Sequence, residues 1–195
     1  MIPPFGGSIP PAPANPFLSK ARAVTVNPAL IDDLSKPFPE TALGTRWQLM
    51  SDAVMGGVSA GRMTAGIVEG RPAIRMQGSV SLENNGGFLQ IAVDLAPGGG
   101  TLDASGFSGI ALDVLGDGEA YGLHLRTPDL ARPWQSYRAP FVASGTWQTR
   151  HLAFADFVPH RTEAPLDTSR LRRLGLVAIG RNFRPDLSVG GLRFY

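Results

Sequence analysis

Apolar and polar residues alternate with a period of two along several short segments of this chain. Leu89 and Ile91 fall on one face of such a segment, and Gln90, which lies between them, falls on the other. The same alternation returns in residues 110–114 and 121–125. This period is typical of β-strands that bury one face and expose the other.

Short runs of the same kind, separated by turn-forming residues, predict about ten strands. The turn signals include Pro97-Gly-Gly-Gly and Thr127-Pro-Asp, and no long amphipathic helix interrupts the series. Strands at this spacing without intervening helices predict an all-β protein, an antiparallel β-sandwich most similar to a jelly roll. The further strand candidates are residues 47–50, 73–80, 135–142, 146–152, 174–179 and 188–195.

Proline is concentrated near the beginning of the sequence. Residues 1–39 contain Pro3-Pro4, Pro10-Pro-Ala-Pro13 and two Asn-Pro pairs. Segments of this composition cannot form a strand ladder, because proline lacks the backbone N–H donor. We therefore predict a Pro-rich N-terminal arm over residues 1–39 and a single sandwich domain over residues 40–195.

Composition narrows the classes of function. The 195-residue chain has no cysteine and three histidines, which excludes thiolate chemistry and predicts neither a metal site nor a cofactor. Neither a secretory signal nor a membrane-spanning segment is predicted, so we expect a cytoplasmic bacterial protein, at most peripheral to the inner membrane. The segment from Tyr121 to Tyr195 holds 11 Arg against 5 Asp and Glu. No nucleic-acid motif accompanies these arginines, so no nucleic-acid partner is predicted.

Two glycine-rich loops are the first candidate binding surface. Residues 51–59 (Ser-Asp-Ala-Val-Met-Gly-Gly-Val-Ser) and 82–88 (Leu-Glu-Asn-Asn-Gly-Gly-Phe) each follow a strand-like run. Such loops form tight turns or allow a partner's backbone to approach closely. Asp52 is either an acid or metal ligand or, on the simpler interpretation, an Asx-type cap on the turn at 54–57. The candidate contact residues are Asp52, Met55, Gly56, Gly57, Asn84 and Asn85.

A polar strand face is the second candidate surface. His124 and Arg126 share one face of a predicted strand, and Trp134 and Arg138 share a face of the next. If the two faces coincide, they combine aromatic, imidazole and guanidinium groups that suit a sugar, a carboxylate or a protein partner. An ordinary solvated sheet face is the alternative. Tyr137 completes this candidate set as a stacking residue for a sugar.

One further loop, Gly116-Asp-Gly-Glu119, carries two carboxylates. A calcium site could use such oxygen ligands, but the spaced series of donors that would make the signal specific is missing. A plain hairpin turn is the favoured interpretation.

Taken in order, the motifs resemble those of the complex I intermediate-associated protein 30 family in its bacterial form. The resemblance covers residues 43–195 and rests on Ser51-Asp-x-Val-Met-Gly-Gly-x-Ser59, Leu82-Glu-Asn-Asn-Gly-Gly-Phe88, Tyr121-x-Leu-x-Leu-Arg-Thr127 and Trp134-Gln-Ser-Tyr-Arg138. It implies a galactose-binding-like jelly-roll domain and a role like that of mitochondrial members, which act as chaperones in assembly of NADH:ubiquinone oxidoreductase. The family brings no catalytic residues.

Three functional hypotheses follow. The first is a non-enzymatic binding module whose protein partner is a respiratory complex subunit. The second is a carbohydrate-binding module with a weakly bound sugar, held by Trp134, Tyr137, His124 and Arg126. The third, an enzyme that pairs Asp52 with His124 or His151 as acid and base, has the least support, because no catalytic motif surrounds these residues.

Overall fold

The computed structural model of the protein describes residues 29–195. These residues form twelve strands joined by loops and by five short 3-10 turns. In chain order, the strands are β1 (Leu30–Asp32), β2 (Gln48–Ser51), β3 (Ala60–Val68), β4 (Arg71–Ser79), β5 (Phe88–Asp94), β6 (Gly109–Gly116), β7 (Ala120–Arg126), β8 (Ser136–Val142), β9 (Gln148–Ala153), β10 (Val158–His160), β11 (Arg173–Ile179) and β12 (Asp186–Phe194). The 3-10 turns are Asp52–Met55, Glu83–Asn85, Pro97–Gly99, Phe154–Asp156 and Thr168–Arg170.

The strands form two six-stranded sheets in which the pairs are antiparallel. The first sheet has the order β3-β4-β12-β6-β9, and β1 pairs with β12 beside this path. The second sheet has the order β10-β8-β7-β11-β5-β2. The predicted all-β jelly-roll sandwich is therefore confirmed. No helix among residues 29–195 is long and apolar enough to cross a bilayer.

The core lies between the sheets and uses the alternate residues that the sequence pattern identifies. Leu89, Ile91 and Val93 of β5 are almost fully buried, as are Leu123 and Leu125 of β7. Burying each of these side chains contributes about 2 kcal/mol relative to leaving it in water. Because side chains alternate along a strand, the even-numbered residues of β5 and β7 must lie on the outer face of the second sheet.

The described part of the Pro-rich arm is attached to the sandwich. Leu30 pairs with Arg193 of β12, and Ile31 is fully buried. The Asp32 carboxylate accepts hydrogen bonds from Trp47 Nε1 at 2.7 Å and from the Leu34 backbone N–H at 3.1 Å. Leu30–Asp32 thus adds a strand to the first sheet, so this part of the arm predicted over residues 1–39 does form a ladder, contrary to the expectation from its proline content. Residues 1–28 of that predicted arm lie outside the described residues.

The turn at residues 116–119 is not the hairpin that the sequence favours. It joins β6 of the first sheet to β7 of the second, so the chain changes sheets there. The Asp117 carboxylate accepts hydrogen bonds from the Tyr121 hydroxyl and from the Glu119 backbone N–H, both at about 3 Å. Glu119 forms an ion pair with Arg181. Both carboxylates therefore hold this corner of the sandwich together.

Candidate binding groove

Asp52 joins the two glycine-rich loops from a fully buried position. Its Oδ1 accepts a hydrogen bond from the Ser59 N–H at 2.9 Å, and its Oδ2 accepts one from Ser59 Oγ at 2.5 Å. Oδ2 also accepts from the backbone N–H groups of Gly87, at 2.5 Å, and Phe88, at 3.2 Å. Four donors from two loops therefore converge on one carboxylate.

This geometry corrects the interpretation of Asp52 as a cap on the turn at 54–57. The cap is Ser51, whose Oγ accepts a hydrogen bond from the Ala53 N–H at 3.3 Å. The Asp52 side chain instead reaches the second loop, 35 residues further along the chain. Asn84 adds a direct link, because its Nδ2 donates to the Gly56 carbonyl at 3.3 Å.

Close contacts and backbone conformation explain why both loops contain glycine. A Cβ at Gly57 would lie 2.4 Å from Asp52 Cγ, and one at Gly86 would lie 2.5 Å from Asp52 Oδ2. Gly56 and Gly87 adopt φ of 86° and 124°, which side chains with a Cβ rarely tolerate. Each loop therefore needs one glycine for close approach to the carboxylate and one for backbone conformation.

The pKa of Asp52 reflects a balance of opposing causes. Burial disfavours the charged carboxylate, but the hydrogen bonds from Gly87, Ser59 and Phe88 together outweigh burial and hold the pKa below its ordinary value. Asp52 is therefore ionised at neutral pH and fully occupied by structural hydrogen bonds.

The outer face of the second sheet forms a groove of about 750 Å³ that extends across the strands from β2 to β10. The strand register determines which residues lie next to one another on the groove floor. One row across the sheet places Ala92, Gly175, His124 and Arg138 side by side. Ala92 and Gly175 are the small residues of this row. A Cβ at Gly122, in the neighbouring row, would lie 2.8 Å from His124 Nε2, so the imidazole lies over a glycine.

The rim of this groove includes the first glycine loop. Val54 and Met55 line it with 79% and 62% of their surface exposed, and Asn85 of the second loop lines it beside them. On the opposite side, Trp134 is 49% exposed. The two predicted binding surfaces therefore border a single groove.

Arg126 has a structural role in positioning the loop that carries Trp134. Its guanidinium donates to four backbone carbonyls, those of Leu130, Arg132, Pro133 and Gln135, at 2.6 to 3.0 Å. Burial lowers the pKa of Arg126, and the nearby charges of Arg173 and Arg172 add to this effect. Its donors are directed into the loop, which fixes the shape of one groove wall.

His124 is a neutral group on the groove floor. Burial, together with the positive charge of Arg138 and the neighbouring His160, lowers the pKa of His124 to about 3. The pKa of His160 is also lowered, again first by burial and then by Arg138 and Arg161. At neutral pH the imidazoles therefore offer hydrogen bonds, and the arginines provide the charge.

The structure does not place Tyr137 in the groove, which corrects its inclusion in the candidate set. It is fully buried on the core face of β8, and its hydroxyl donates to the Pro165 carbonyl at 3.0 Å. The reason is strand alternation, since its neighbours Ser136 and Arg138 point outward. A buried phenol cannot stack on a sugar.

The proposed acid–base pairs with Asp52 are also not formed. The Asp52 carboxylate accepts its hydrogen bonds from Ser59, Gly87 and Phe88, and neither histidine is a partner. His151 lies in β9 of the other sheet, where its ring packs against Tyr195. His124 lies in β7, with β11 and β5 between it and β2.

Sequence reasoning missed several residues of the groove. Gln90 and Val177 follow directly from the alternation of two predicted strands, so the signal for them was present. His160 lies in a three-residue strand that has no alternation to recognise, and Arg161 and Arg172 lie in loops. Loop residues cannot be assigned to a face by periodicity.

Among solved structures, the fold is similar to carbohydrate-binding modules of Clostridium thermocellum. The family 11 module, in a complex with a β-1,3-1,4-mixed-linked tetrasaccharide, matches with a TM-score of 0.65 at 12% identity, covering 85% of this chain and 94% of that chain. A family 30 module of a cellulosomal cellulase matches with a TM-score of 0.53 at 14% identity, covering 71% and 90%. At such low identity these similarities establish the fold alone.

Sequence comparison identifies the family. No curated protein sequence matches this chain. The family described as complex I intermediate-associated protein 30 matches residues 37–187, which is most of the chain and includes both glycine loops and the groove strands. The chain therefore belongs to the complex I intermediate-associated protein 30 family.

Proposed function

We propose that this protein is a non-enzymatic binding module that assists the assembly of respiratory complex I by holding a protein partner in the groove. Family membership supports the assembly role. The observation that carries the proposal is the groove itself, which combines exposed apolar side chains with arginines on a preformed sheet face. Rigid sheet faces of this kind bind a partner with little loss of conformational entropy.

The state of the titratable groups supports a non-catalytic role. A general base needs a pKa near the working pH and must be able to reach a substrate proton. Asp52 is fully buried and holds four hydrogen bonds, and the low pKa of His124 makes its imidazole a weak base. Asp52 and His124 therefore suit a structural role at the groove better than a role in proton transfer.

A pull-down from membranes tests the assembly role. Tagged full-length protein, expressed in its host, is recovered after mild solubilisation, and the bound proteins are identified by mass spectrometry. The proposal predicts enrichment of complex I subunits over an untagged control. Recovery without such subunits, together with normal complex I in a strain that lacks the protein, would overturn it.

A second candidate function, oligosaccharide binding, is favoured by one specific observation. The half-exposed Trp134 ring lines the same groove as the amides of Gln90 and Asn85, and an aromatic ring combined with amide groups suits a sugar. Calorimetric titration with neutral β-glucan oligosaccharides tests it. Heat of binding at millimolar sugar that disappears in Trp134→Ala supports this candidate, and the absence of any heat removes it.

A further inference from the structure

The groove has two chemically different halves. The half formed by β2, β5 and residues 177–179 of β11 is apolar, and the half nearest β8 and β10 is basic. Arg138 and Arg161 provide the charge of the basic half, with the neutral His124 and His160 beside them. Arg172, whose backbone N–H donates to the Arg126 carbonyl at 2.8 Å, adds positive charge where β11 begins. The apolar half consists of Met50, Val54, Met55, Phe88, Val177 and Ile179.

The positive charge of the basic half is not compensated from within the described chain. Five arginines line the groove, and neither Asp nor Glu is among its lining residues. Asp94 pairs with Arg173 at 2.6 Å, and Arg126 is occupied by carbonyl groups. Within residues 29–195, Arg138, Arg161 and Arg172 form no ion pair with a carboxylate. Three like charges on one face favour an anionic occupant.

Arg138 shows how such an occupant would be held. Its Nε donates to Ser136 Oγ at 2.9 Å, which fixes the plane of the guanidinium. Burial, followed by the charge of Arg161, lowers the pKa of Arg138, so an added carboxylate would relieve the repulsion. A fixed guanidinium binds a carboxylate through two parallel hydrogen bonds.

The distance between the halves sets the length of the occupant. From β2 to β8 there are four strand spacings, which is about 19 Å. An extended polypeptide advances about 3.3 to 3.6 Å per residue, so about five to six residues span this distance. An apolar anchor beside Met55, in the turn after β2, and a carboxylate beside Arg138 would therefore lie about five to six residues apart in one extended segment.

We propose that the groove binds an extended acidic segment of a partner protein, with an apolar side chain in the apolar half and carboxylates on Arg138, Arg161 and Arg172. This inference rests on the proposed function, since it names the partner chemistry of the same site. The apolar half distinguishes a polypeptide from an acidic polysaccharide, because exposed Val54 and Met55 match an aliphatic side chain better than hydroxyl groups. Residues 1–31 of this chain cannot supply these carboxylates, because they contain no Asp or Glu.

Selection from a display library of random 12-residue peptides tests the proposal with the full-length protein. The enriched peptides are expected to carry two or more acidic residues and an apolar residue about five to six positions away. Binding of a synthetic enriched peptide should weaken about tenfold or more in Arg138→Gln/Arg161→Gln, and likewise when salt is raised from about 50 to 500 mM. In Val54→Ser/Met55→Ser, selection should retain the acidic residues and lose the apolar position.

The matched control is Arg46→Gln/Arg184→Gln, which removes two exposed arginines that do not line the groove. It should bind the peptide within about twofold of the wild type, which separates local contacts from net charge. Thermal unfolding of all variants verifies that they are folded.

In the peptide selection, the proposal would be overturned by the absence of enrichment, by enrichment of neutral or basic peptides, or by binding of polygalacturonate oligomers where no acidic peptide binds.

This test can be separated from the test of the assembly role. If Arg138→Gln/Arg161→Gln still recovers complex I subunits from membranes, the groove proposal fails while the assembly role remains. If acidic peptides are selected but the wild-type protein recovers no complex I subunits, the groove proposal stands and the assembly role fails.

Discussion

At the scale of single residues, Asp52 explains most of the glycine-rich sequence pattern of residues 51–59 and 82–88. One buried carboxylate accepts four hydrogen bonds from Ser59, Gly87 and Phe88. The close approach to that carboxylate also requires glycine at positions 57 and 86. The motif therefore encodes a structural junction at the edge of the groove.

Replacing Asp52 by Asn should destabilise the protein by about 3 kcal/mol, because hydrogen bonds to a buried charge are among the strongest. An amide has one acceptor oxygen, so its NH₂ group would face at least one of the N–H donors now served by the carboxylate. Urea unfolding measures the free-energy change. Asp103→Asn, at an exposed turn, is the control and should change little. Equal stability of Asp52→Asn and wild type would contradict this role.

His124 should make stability depend on pH. In the unfolded chain its imidazole binds a proton near the ordinary pKa of 6.5, whereas the folded protein excludes that proton until about pH 3. Stability is therefore complete above pH 6.5 and is lost as the pH falls from there toward 3. Between pH 7 and 4.5 the wild type should lose about 2 to 3 kcal/mol more than His124→Gln.

Urea midpoints at the two pH values measure the effect. His151→Gln, on an exposed position of β9, is the control and should retain the wild-type pH dependence. An identical pH dependence in wild type and His124→Gln would contradict the burial of a neutral imidazole.

At the scale of elements, Arg126 determines the shape of the loop at 127–135. Arg126→Gln removes donors to four carbonyl groups and should loosen this loop while leaving the sheets intact. Amide exchange across 128–135 should become about tenfold faster or more, corresponding to about 1.4 kcal/mol of lost local stability. Hydrogen exchange with mass spectrometry measures it, and Arg172→Gln is the control. Unchanged exchange in Arg126→Gln would show that other contacts hold the loop.

The strands differ in how well the sequence predicts them. β5 and β7 alternate core-facing apolar residues with more polar ones, whereas β11 is a short apolar run buried on both faces. The positions of all three strands are predicted closely. β3 (Ala60–Val68) is a mostly exposed edge strand, so it has no apolar stripe to recognise. β1 and β10 are too short for a periodic signal, and their pairing with β12 and β8 depends on tertiary contacts.

At the scale of the whole molecule, the two candidate surfaces predicted from the sequence border one groove. Alternation predicts which residues of β7 and β8 share a face, but it does not specify register. The pairing of His124 with Arg138, and the fold of the first glycine loop toward the same groove, come from the sandwich as a whole. The exclusion of Tyr137 follows from the same alternation, because Tyr137 lies between Ser136 and Arg138. The structural role of Arg126 depends on how the loop folds, because a sequence does not reveal which backbone carbonyls a guanidinium contacts.

The central claim is that this groove acts in complex I assembly, and the amount of assembled complex I tests it most directly. In a strain lacking the protein, native gels with NADH-dehydrogenase staining should show reduced complex I. Wild type and Arg46→Gln/Arg184→Gln should restore it, whereas Arg138→Gln/Arg161→Gln, present at equal levels, should not. Full complex I in the deletion strain, or full restoration by the groove variant, would contradict the account.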